Sequence, residues 1–169
     1  METGHPVRVL IVEDLTIVRE GLRTLLQSFP NLEVVGEAGN GEDGLEKAGT
    51  LKPTIVLMDV NMPKMDGVTA TRMIKQNYPH IAVVGLTADA PEYVHYSMIK
   101  AGAFEVVRKE QAVSELYSSI QRAVASVQPI LVLDEKVETS APITIENSIV
   151  SDLADLSAIQ IPPETTGES

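Results

Sequence analysis

Residues 54–67 read TIVLMDVNMPKMDG, a stretch that begins like a strand and ends like a loop. The run 54–58 is apolar apart from its first residue, which predicts a short buried strand. Asp59 follows this strand directly, and Pro63 and Gly67 then favour a turn. A strand that is apolar throughout is typical of a parallel sheet that is covered on both faces. The stretch therefore predicts an α/β fold with a carboxylate at the end of a buried strand.

The same alternation of short apolar runs and helical patterns extends in both directions. We predict five strands, at 7–12, 32–36, 54–58, 81–86 and 104–107. We predict five helices: one whose inner face is Ile17, Val18, Leu22, Leu25 and Leu26, and others at 41–48, 68–78, 91–101 (opened by Pro91) and 111–127. Five such units predict a doubly wound parallel sheet with right-handed crossovers. Ligands of such folds bind at the carboxyl ends of the strands.

Composition narrows the class of protein. The chain has 169 residues, 44% of them hydrophobic, which suits one globular domain with some residues left over. It has no cysteine, which excludes disulfides, thiolate metal sites and a cysteine nucleophile. The net charge of −11 argues against direct binding to nucleic acid. No apolar run approaches the length of a bilayer crossing, and the N-terminus does not resemble an export signal, so we expect a soluble, cytoplasmic protein without membrane insertion.

The acidic residues are concentrated near the C-terminus. Residues 1–128 carry 16 acids and 12 bases, whereas residues 129–169 carry 8 acids and a single base. We therefore predict a folded domain at 1–128 and an acidic tail that contains Pro, Ser and Thr at 129–169. The tail has one amphipathic helical pattern, formed by Ile145, Ile149, Leu153 and Leu156. This pattern fits either weak local helicity or a docking helix.

Five residues that can carry chemistry follow the predicted strands. Glu13 and Asp14 follow the first strand, Asp59 the third, Thr87 the fourth and Lys109 the fifth. Carboxylates held at one edge repel one another and favour a shared cation. Oxygen ligands without His or Cys select Mg²⁺, which keeps open positions for phosphate oxygens. Asp59 is then a nucleophile able to form an acyl phosphate, whose oxygens Thr87 and Lys109 can bind.

Residues 58–67 also carry a family resemblance. This segment, and residues 7–126 as a whole, resemble the receiver domain of bacterial two-component response regulators. The resemblance implies a flavodoxin-like sheet of order 2-1-3-4-5 and a role for Asp59 as phosphoacceptor. It further implies that Asp14 binds Mg²⁺ directly and that Glu13 binds it mainly through water. The backbone carbonyl of Asn61 would be the third protein ligand, after Asp14 and Asp59.

The resemblance also implies roles for other residues and for partners. Thr87 would be the switch hydroxyl and Lys109 the lysine of the family pattern. A histidine kinase or a phosphotransfer protein would donate the phosphoryl group. Two positions depart from the pattern: Val106 stands where an aromatic residue is common, and Glu110 follows the lysine where proline is common. Asn61 and Asp89 are expected to flank the site and to promote fast self-dephosphorylation.

We expect phosphorylation to shift a conformational equilibrium that controls binding to a downstream effector protein. The expected surface lies on the fourth helix, last strand and fifth helix, with candidates Tyr93, Tyr96, Met98, Val106 and Tyr117.

Alternative functions are a pseudo-receiver that works without phosphorylation and the receiver part of a truncated DNA-binding regulator; a homodimer is left open. A phosphatase using Asp59 is disfavoured because Asn61 stands where the second acid is typical. A flavin protein is disfavoured because Glu13 and Asp14 would repel a phosphate.

Overall fold

The computed structural model describes residues 4–89 and 91–127, which fold around one parallel sheet. The strands are β1 (Val7–Val12), β2 (Leu32–Ala38), β3 (Ile55–Asp59), β4 (Ala82–Thr87) and β5 (Glu105–Arg108). All four neighbouring pairs are parallel, and the order across the sheet is β2-β1-β3-β4-β5. The predicted doubly wound fold and its strand order are confirmed. The predicted tail at 129–169, with its amphipathic pattern, lies outside the described residues.

A helix follows each strand. The helices are α1 (Thr16–Gln27), α2 (Gly41–Leu51), α3 (Gly67–Asn77), α4 (Glu92–Ala101) and α5 (Ala112–Val127), and a 3₁₀ turn (Lys109–Gln111) precedes α5. Asn40 caps α2 by accepting from the amide of Asp43, and Asp66 caps α3 by accepting from the amide of Thr69. None of the helices in the described part of the chain is long and apolar enough to cross a membrane.

The sheet separates two hydrophobic clusters. Successive residues of β1 alternate between them, because side chains of a strand point to opposite faces. Val9 and Ile11 pack against α1 and α5, whereas Leu10 and Val12 face the helices α2 to α4. Every residue of β3 and β4 is buried. The central strands are thus enclosed on both sides, which leaves their carboxyl ends as the accessible place for chemistry.

Apart from the later ends of β2 and α2, two details differ from the sequence-based expectation. Ile17 was predicted on the inner face of α1 but is 78% exposed, because it sits about 100° around the helix axis from Val18. Strands β3 to β5 each end one residue later than predicted, so Asp59 and Thr87 are the last residues of strands and not the first residues of loops. Their backbones are therefore fixed by the sheet.

Candidate functional site

Three charged side chains meet at the carboxyl edge of the sheet. Glu13 follows β1, Asp59 ends β3, and Lys109 follows β5. The Nζ atom of Lys109 lies 2.7 Å from Oε2 of Glu13 and 3.1 Å from Oδ1 of Asp59. The contact with Glu13 is an ion pair between a fully buried carboxylate and a mostly buried ammonium group. The ammonium group of Lys109 therefore bridges two carboxylates that come from distant parts of the sequence.

Burial shapes the charge state of this cluster. Glu13 is fully buried and Asp59 is 2% exposed. Burial, and then the charge of Glu13, raise the pKa of Asp59 to about 6, although Lys109 and the amide of Asn61 pull it down. Burial alone would lower the pKa of Lys109, but its bonds to Glu13 and Asp59 outweigh that effect and raise the pKa. Asp59 is therefore ionised at neutral pH, but its buried negative charge lowers the stability of the fold. A further cation nearby would reduce this loss.

Asp14 completes an acidic group that fits a divalent ion. One carboxylate oxygen from each of Glu13, Asp14 and Asp59 lies within 4.8 Å of the other two. Ligands of one Mg²⁺ ion, bound at about 2.1 Å, are roughly 3 to 4 Å apart, so small adjustments bring these oxygens into range. All three donors are carboxylate oxygens, which suits Mg²⁺ better than a softer metal. Asp14 is half-buried and so adjoins both the buried acids and solvent.

Hydrogen bonds fix the backbone of residues 13–15, which carries Glu13 and Asp14. We call this segment the acidic loop. The amide of Glu13 donates to the carbonyl of Ala38 at 2.9 Å, and the amide of Leu15 donates to Oε1 of Glu13 at 3.2 Å. Nη1 of Arg19 donates to the backbone carbonyl of Glu13 at 2.6 Å. Sequence reasoning missed Arg19. A basic residue one turn into the helix after an acidic pair was the available signal.

The loop after Asp59 is closed by a glycine. The amide of Gly67 donates to the carbonyl of Val60 at 2.9 Å, which brings the start of α3 against the end of β3. A Cβ atom at position 67 would overlap the backbone carbonyl of Asp59. The amide of Asn61 lies 3.4 Å from Oδ1 of Asp59, and the side chain of Asn61 is exposed beside the site. Glycine at 67 is therefore a condition for this loop geometry.

The other side of Asp59 is formed by the end of β4. Thr87 is fully buried, and its hydroxyl donates to the backbone carbonyl of Asp89. Ala88 and Asp89 are exposed. The hydroxyl of Thr87 is thus engaged by its own loop, and the two predicted modulators, Asn61 and Asp89, are both accessible to water.

Val106 packs where an aromatic residue is common in the family pattern. It is partly buried against the cluster on the α2 to α4 face. A Cβ atom on Gly85 would lie 2.9 Å from Cε of Met98 and 3.2 Å from Cγ2 of Val106. The space beneath Val106 is therefore already filled. Among the described residues no peptide bond is cis, so Glu110 follows Lys109 through a trans bond.

The expected effector surface is corrected at two positions. Tyr93 and Tyr96 are 72% and 63% exposed, as that surface requires. Met98 is fully buried in the core and does not belong to it. Tyr117 stacks on Phe29 with ring centroids 4.2 Å apart and bonds to Asn31, which places it towards the end of α1. Helical spacing alone did not reveal which face of α4 and α5 these residues occupy.

Comparisons with known proteins agree with this geometry. The sequence matches the family described as "Response regulator receiver domain" over residues 9–121. The response regulator GacA of Pseudomonas viridiflava is 38% identical over 115 residues, which cover 68% of this chain and 54% of GacA. The response regulator protein VraR of Staphylococcus saprophyticus is 37% identical over 117 residues, covering 69% of this chain and 56% of VraR. This chain thus spans about half the length of these relatives.

Solved structures show the same architecture. A two-component response regulator of the LuxR family from Aurantimonas sp. superimposes with a TM-score of 0.69 and 30% identity, over 72% of this chain and 86% of that one. The response regulator domain of Thermotoga maritima CheB gives a TM-score of 0.67 and 27% identity, over 72% of this chain and 98% of that domain. Sequence, fold and the acidic edge agree: the chain belongs to the response regulator receiver domain family of two-component systems.

Proposed function

We propose that Asp59 accepts a phosphoryl group in a Mg²⁺-dependent reaction with a histidine kinase or a phosphotransfer protein. The observation that carries this proposal is the gathering of Glu13, Asp14, Asp59 and Lys109 at one sheet edge. A buried aspartate that adjoins two more carboxylates and one ammonium group is unfavourable unless a cation joins them. The arrangement supports a metal-assisted phosphoacceptor.

Each residue of the cluster has a separate role in the proposed phosphoryl transfer. A carboxylate oxygen of Asp59 attacks phosphorus, the bond from phosphorus to the donor nitrogen breaks, and the imidazole leaves with the electron pair. With a pKa of about 6, Asp59 is ionised and nucleophilic at neutral pH. Lys109 balances charge on the phosphoryl oxygens. Asp14, Asp59 and the carbonyl of Asn61, with Glu13 acting through water, would hold Mg²⁺, which would supply positive charge to those oxygens.

The output is a change in protein binding. After transfer, Thr87 leaves the carbonyl of Asp89 and bonds to a phosphoryl oxygen, which shifts the population of the loop after β4. The exposed rings of Tyr93 and Tyr96, on the helix that follows this loop, then contact a downstream effector protein. Asn61 and Asp89 orient a water molecule that hydrolyses the acyl phosphate. In this proposal the chain is a cytoplasmic phosphoacceptor and not an enzyme with its own substrate.

The direct test uses acetyl phosphate, a small phosphoryl donor. The protein is incubated with acetyl phosphate and Mg²⁺, and intact mass spectrometry counts the phosphoryl groups bound. We expect one group on the wild type and on Asp66→Asn, whose carboxylate is exposed and caps α3. We expect none on Asp59→Asn, and none on the wild type when EDTA removes Mg²⁺. Labelling of Asp59→Asn equal to the wild type would reject Asp59 as the acceptor.

A second candidate function follows from the relatives. The transcriptional regulatory protein LiaR of Bacillus subtilis is 35% identical over 117 residues, which are 69% of this chain and 56% of LiaR. By analogy, the same phosphorylated receiver would control a DNA-binding output. The two functions differ in a binding assay: a phosphorylated chain that shifts duplex DNA in a salt-dependent manner favours transcriptional control, whereas effector binding without DNA binding favours the first proposal.

A further inference from the structure

Arg19 lies outside the acidic cluster but contacts the backbone that carries it. Its Nη1 atom donates to the carbonyl of Glu13 at 2.6 Å. That carbonyl belongs to the peptide bond that joins Glu13 to Asp14. The orientation of this peptide sets the direction in which the Asp14 side chain leaves the backbone. Arg19 therefore acts on the site through Asp14, the most exposed of the three carboxylates.

The guanidinium group is itself held in place. Nε of Arg19 lies 3.1 Å from Oε2 of Glu37, and both side chains are mostly buried, with exposed fractions of 19% and 26%. Glu37 is paired in register with Ile11 of β1, so its side chain projects beside α1. Nζ of Lys47 donates to the carbonyl of Glu37 at 2.6 Å. Glu37 of β2 thus holds the guanidinium group of Arg19 in place while Arg19 donates to the acidic loop.

We infer that Arg19 is a positioning residue for the metal site, which keeps the peptide between Glu13 and Asp14 in the orientation that Mg²⁺ binding needs. This inference rests on the proposed function. The fork of the guanidinium group is suited to the task because it donates to a carboxylate and to a carbonyl at the same time. Residues that orient metal ligands in this way typically change metal affinity by about 10-fold to 100-fold when they are replaced.

The direction in which Mg²⁺ affinity changes when Arg19 is removed distinguishes a positioning role from a purely electrostatic one. Removing a positive charge near a cation site strengthens cation binding by Coulomb's law. Removing a residue that orients a ligand weakens it. A loss of Mg²⁺ affinity on deleting Arg19 is therefore the opposite of the purely electrostatic expectation.

Arg23 provides a matched control. Its Nη1 atom lies 3.1 Å from Oε1 of Glu37, so it shares the carboxylate that braces Arg19. It is one helical turn further along α1, and it has the same charge. Within the described residues, its guanidinium group donates to Glu37 and not to the acidic loop. A substitution at Arg23 reproduces the loss of charge and of the Glu37 pair without releasing the Glu13 carbonyl.

The experiment measures the dissociation constant of Mg²⁺ by calorimetry on the full chain. We expect Arg19→Met to raise this constant about 10-fold to 100-fold and Arg23→Met to change it less than about twofold. Arg19→Lys keeps the charge but lacks the fork, and we expect a rise of about threefold to tenfold. In acetyl phosphate labelling, the Mg²⁺ concentration for half-maximal rate should rise with Arg19→Met, while the rate at saturating Mg²⁺ returns to within about twofold of the wild type.

The outcomes separate this inference from the proposed function. If the wild type binds no Mg²⁺, both fail. If the wild type binds and Asp14→Asn does not, but Arg19→Met binds as the wild type does or more tightly, only the inference fails. Equal weakening by Arg19→Met and Arg23→Met would assign the effect to Glu37 and also overturn it. If Arg19→Met does not fold, an unchanged constant for Arg19→Lys rejects the inference, and a raised constant supports it.

Discussion

The two sides of Asp59 are built differently. On the side of β1, Glu13 is fully buried, its backbone and side chain accept from Arg19 and Leu15, and Lys109 joins it to Asp59. On the side of β4, the hydroxyl of Thr87 is engaged by its own loop, and the next residue, Ala88, is exposed. We call these the acid side and the hydroxyl side.

If Asp59 accepts a phosphoryl group as we propose, the difference indicates which part of the switch exists before the signal arrives. The acid side holds its charged groups in place within the resting fold, and a bound ion requires only small movements. The hydroxyl side has to exchange one hydrogen bond for another before Thr87 can reach a phosphoryl group. On this proposal the Mg²⁺ site is already formed in the resting fold, and the response is made by the exposed loop after β4.

The largest effect that would test the acid side is the loss of Lys109. Lys109→Met leaves Glu13 and Asp59 buried without their shared cation, and we expect the free energy of unfolding to fall by about 3 kcal/mol at pH 7 without Mg²⁺. Urea unfolding followed by circular dichroism measures it. Lys100→Met is the control, because that side chain is exposed. A loss no greater than that of the control would show that the cluster does not depend on Lys109.

Asp59→Asn should have the next largest effect, with the opposite sign. The pKa of Asp59 is about 6 in the folded protein and 3.8 in the reference state, so the folded state holds this proton more tightly. The contribution of the Asp59 carboxyl to the free energy of unfolding therefore falls as the pH rises from about 4 to about 6. Without Mg²⁺ at pH 7, we expect Asp59→Asn to be more stable than the wild type by about 2 to 3 kcal/mol.

This difference should disappear at low pH. Well below pH 3.8 the wild-type carboxyl is neutral in both states; at pH 4 the difference should already be below about 1 kcal/mol, and the two proteins should unfold at similar urea concentrations. Thermal or urea unfolding at pH 4, 6 and 7 follows the trend, with Asp66→Asn as an exposed control. A constant difference across this range would contradict a buried, strained carboxylate on the acid side.

Gly67 fixes the end of β3, and its replacement should have a smaller effect. Gly67→Ala places a methyl group against the carbonyl of Asp59, and we expect a loss of about 2 kcal/mol with slower labelling by acetyl phosphate. Gly21→Ala is the matched control, since a Cβ atom there meets nothing within 4 Å. In α1 that change should stabilise the protein by up to about 1 kcal/mol. Equal effects would show that the loop after Asp59 adapts freely.

The smallest effect on stability is expected on the hydroxyl side. Thr87→Val removes the bond to the carbonyl of Asp89 and should cost about 1 kcal/mol or less. Labelling of Asp59 should persist, but acetyl phosphate should no longer change amide hydrogen exchange in α4. Ser97→Ala, which removes a hydroxyl bonded within α4, is the control. A full exchange response in Thr87→Val would assign the signal to another group.

Sequence reasoning was most successful where a pattern repeats. The five apolar runs identified every strand of the sheet, and their ends brought Glu13, Asp59 and Lys109 to one edge. Periodicity was less reliable at surfaces, because it gives spacing without the direction of the core. Ile17 and Tyr117 show this: the first is exposed, and the second packs on Phe29.

Contacts between distant residues were the part that sequence could not supply. The brace from Glu37 through Arg19 to the acidic loop joins β2, α1 and the end of β1. None of these spacings is periodic, and an arginine on a helix is ordinarily a solvated residue. Similarly, the bond from Thr87 to Asp89 depends on loop geometry that residue types do not encode.

The bridge formed by Lys109 has a consequence for electroneutrality. Three carboxylates and one ammonium group leave the edge with two negative charges when all are ionised, which one divalent ion cancels. Converting the carboxylate of Asp59 into an acyl phosphate replaces a monoanion by a group of nearly twice the charge at pH 7. The balance is then broken by about one unit. On the proposed function, the added negative charge would attract the hydroxyl of Thr87 at the end of β4 and so supply a driving force for the loop movement.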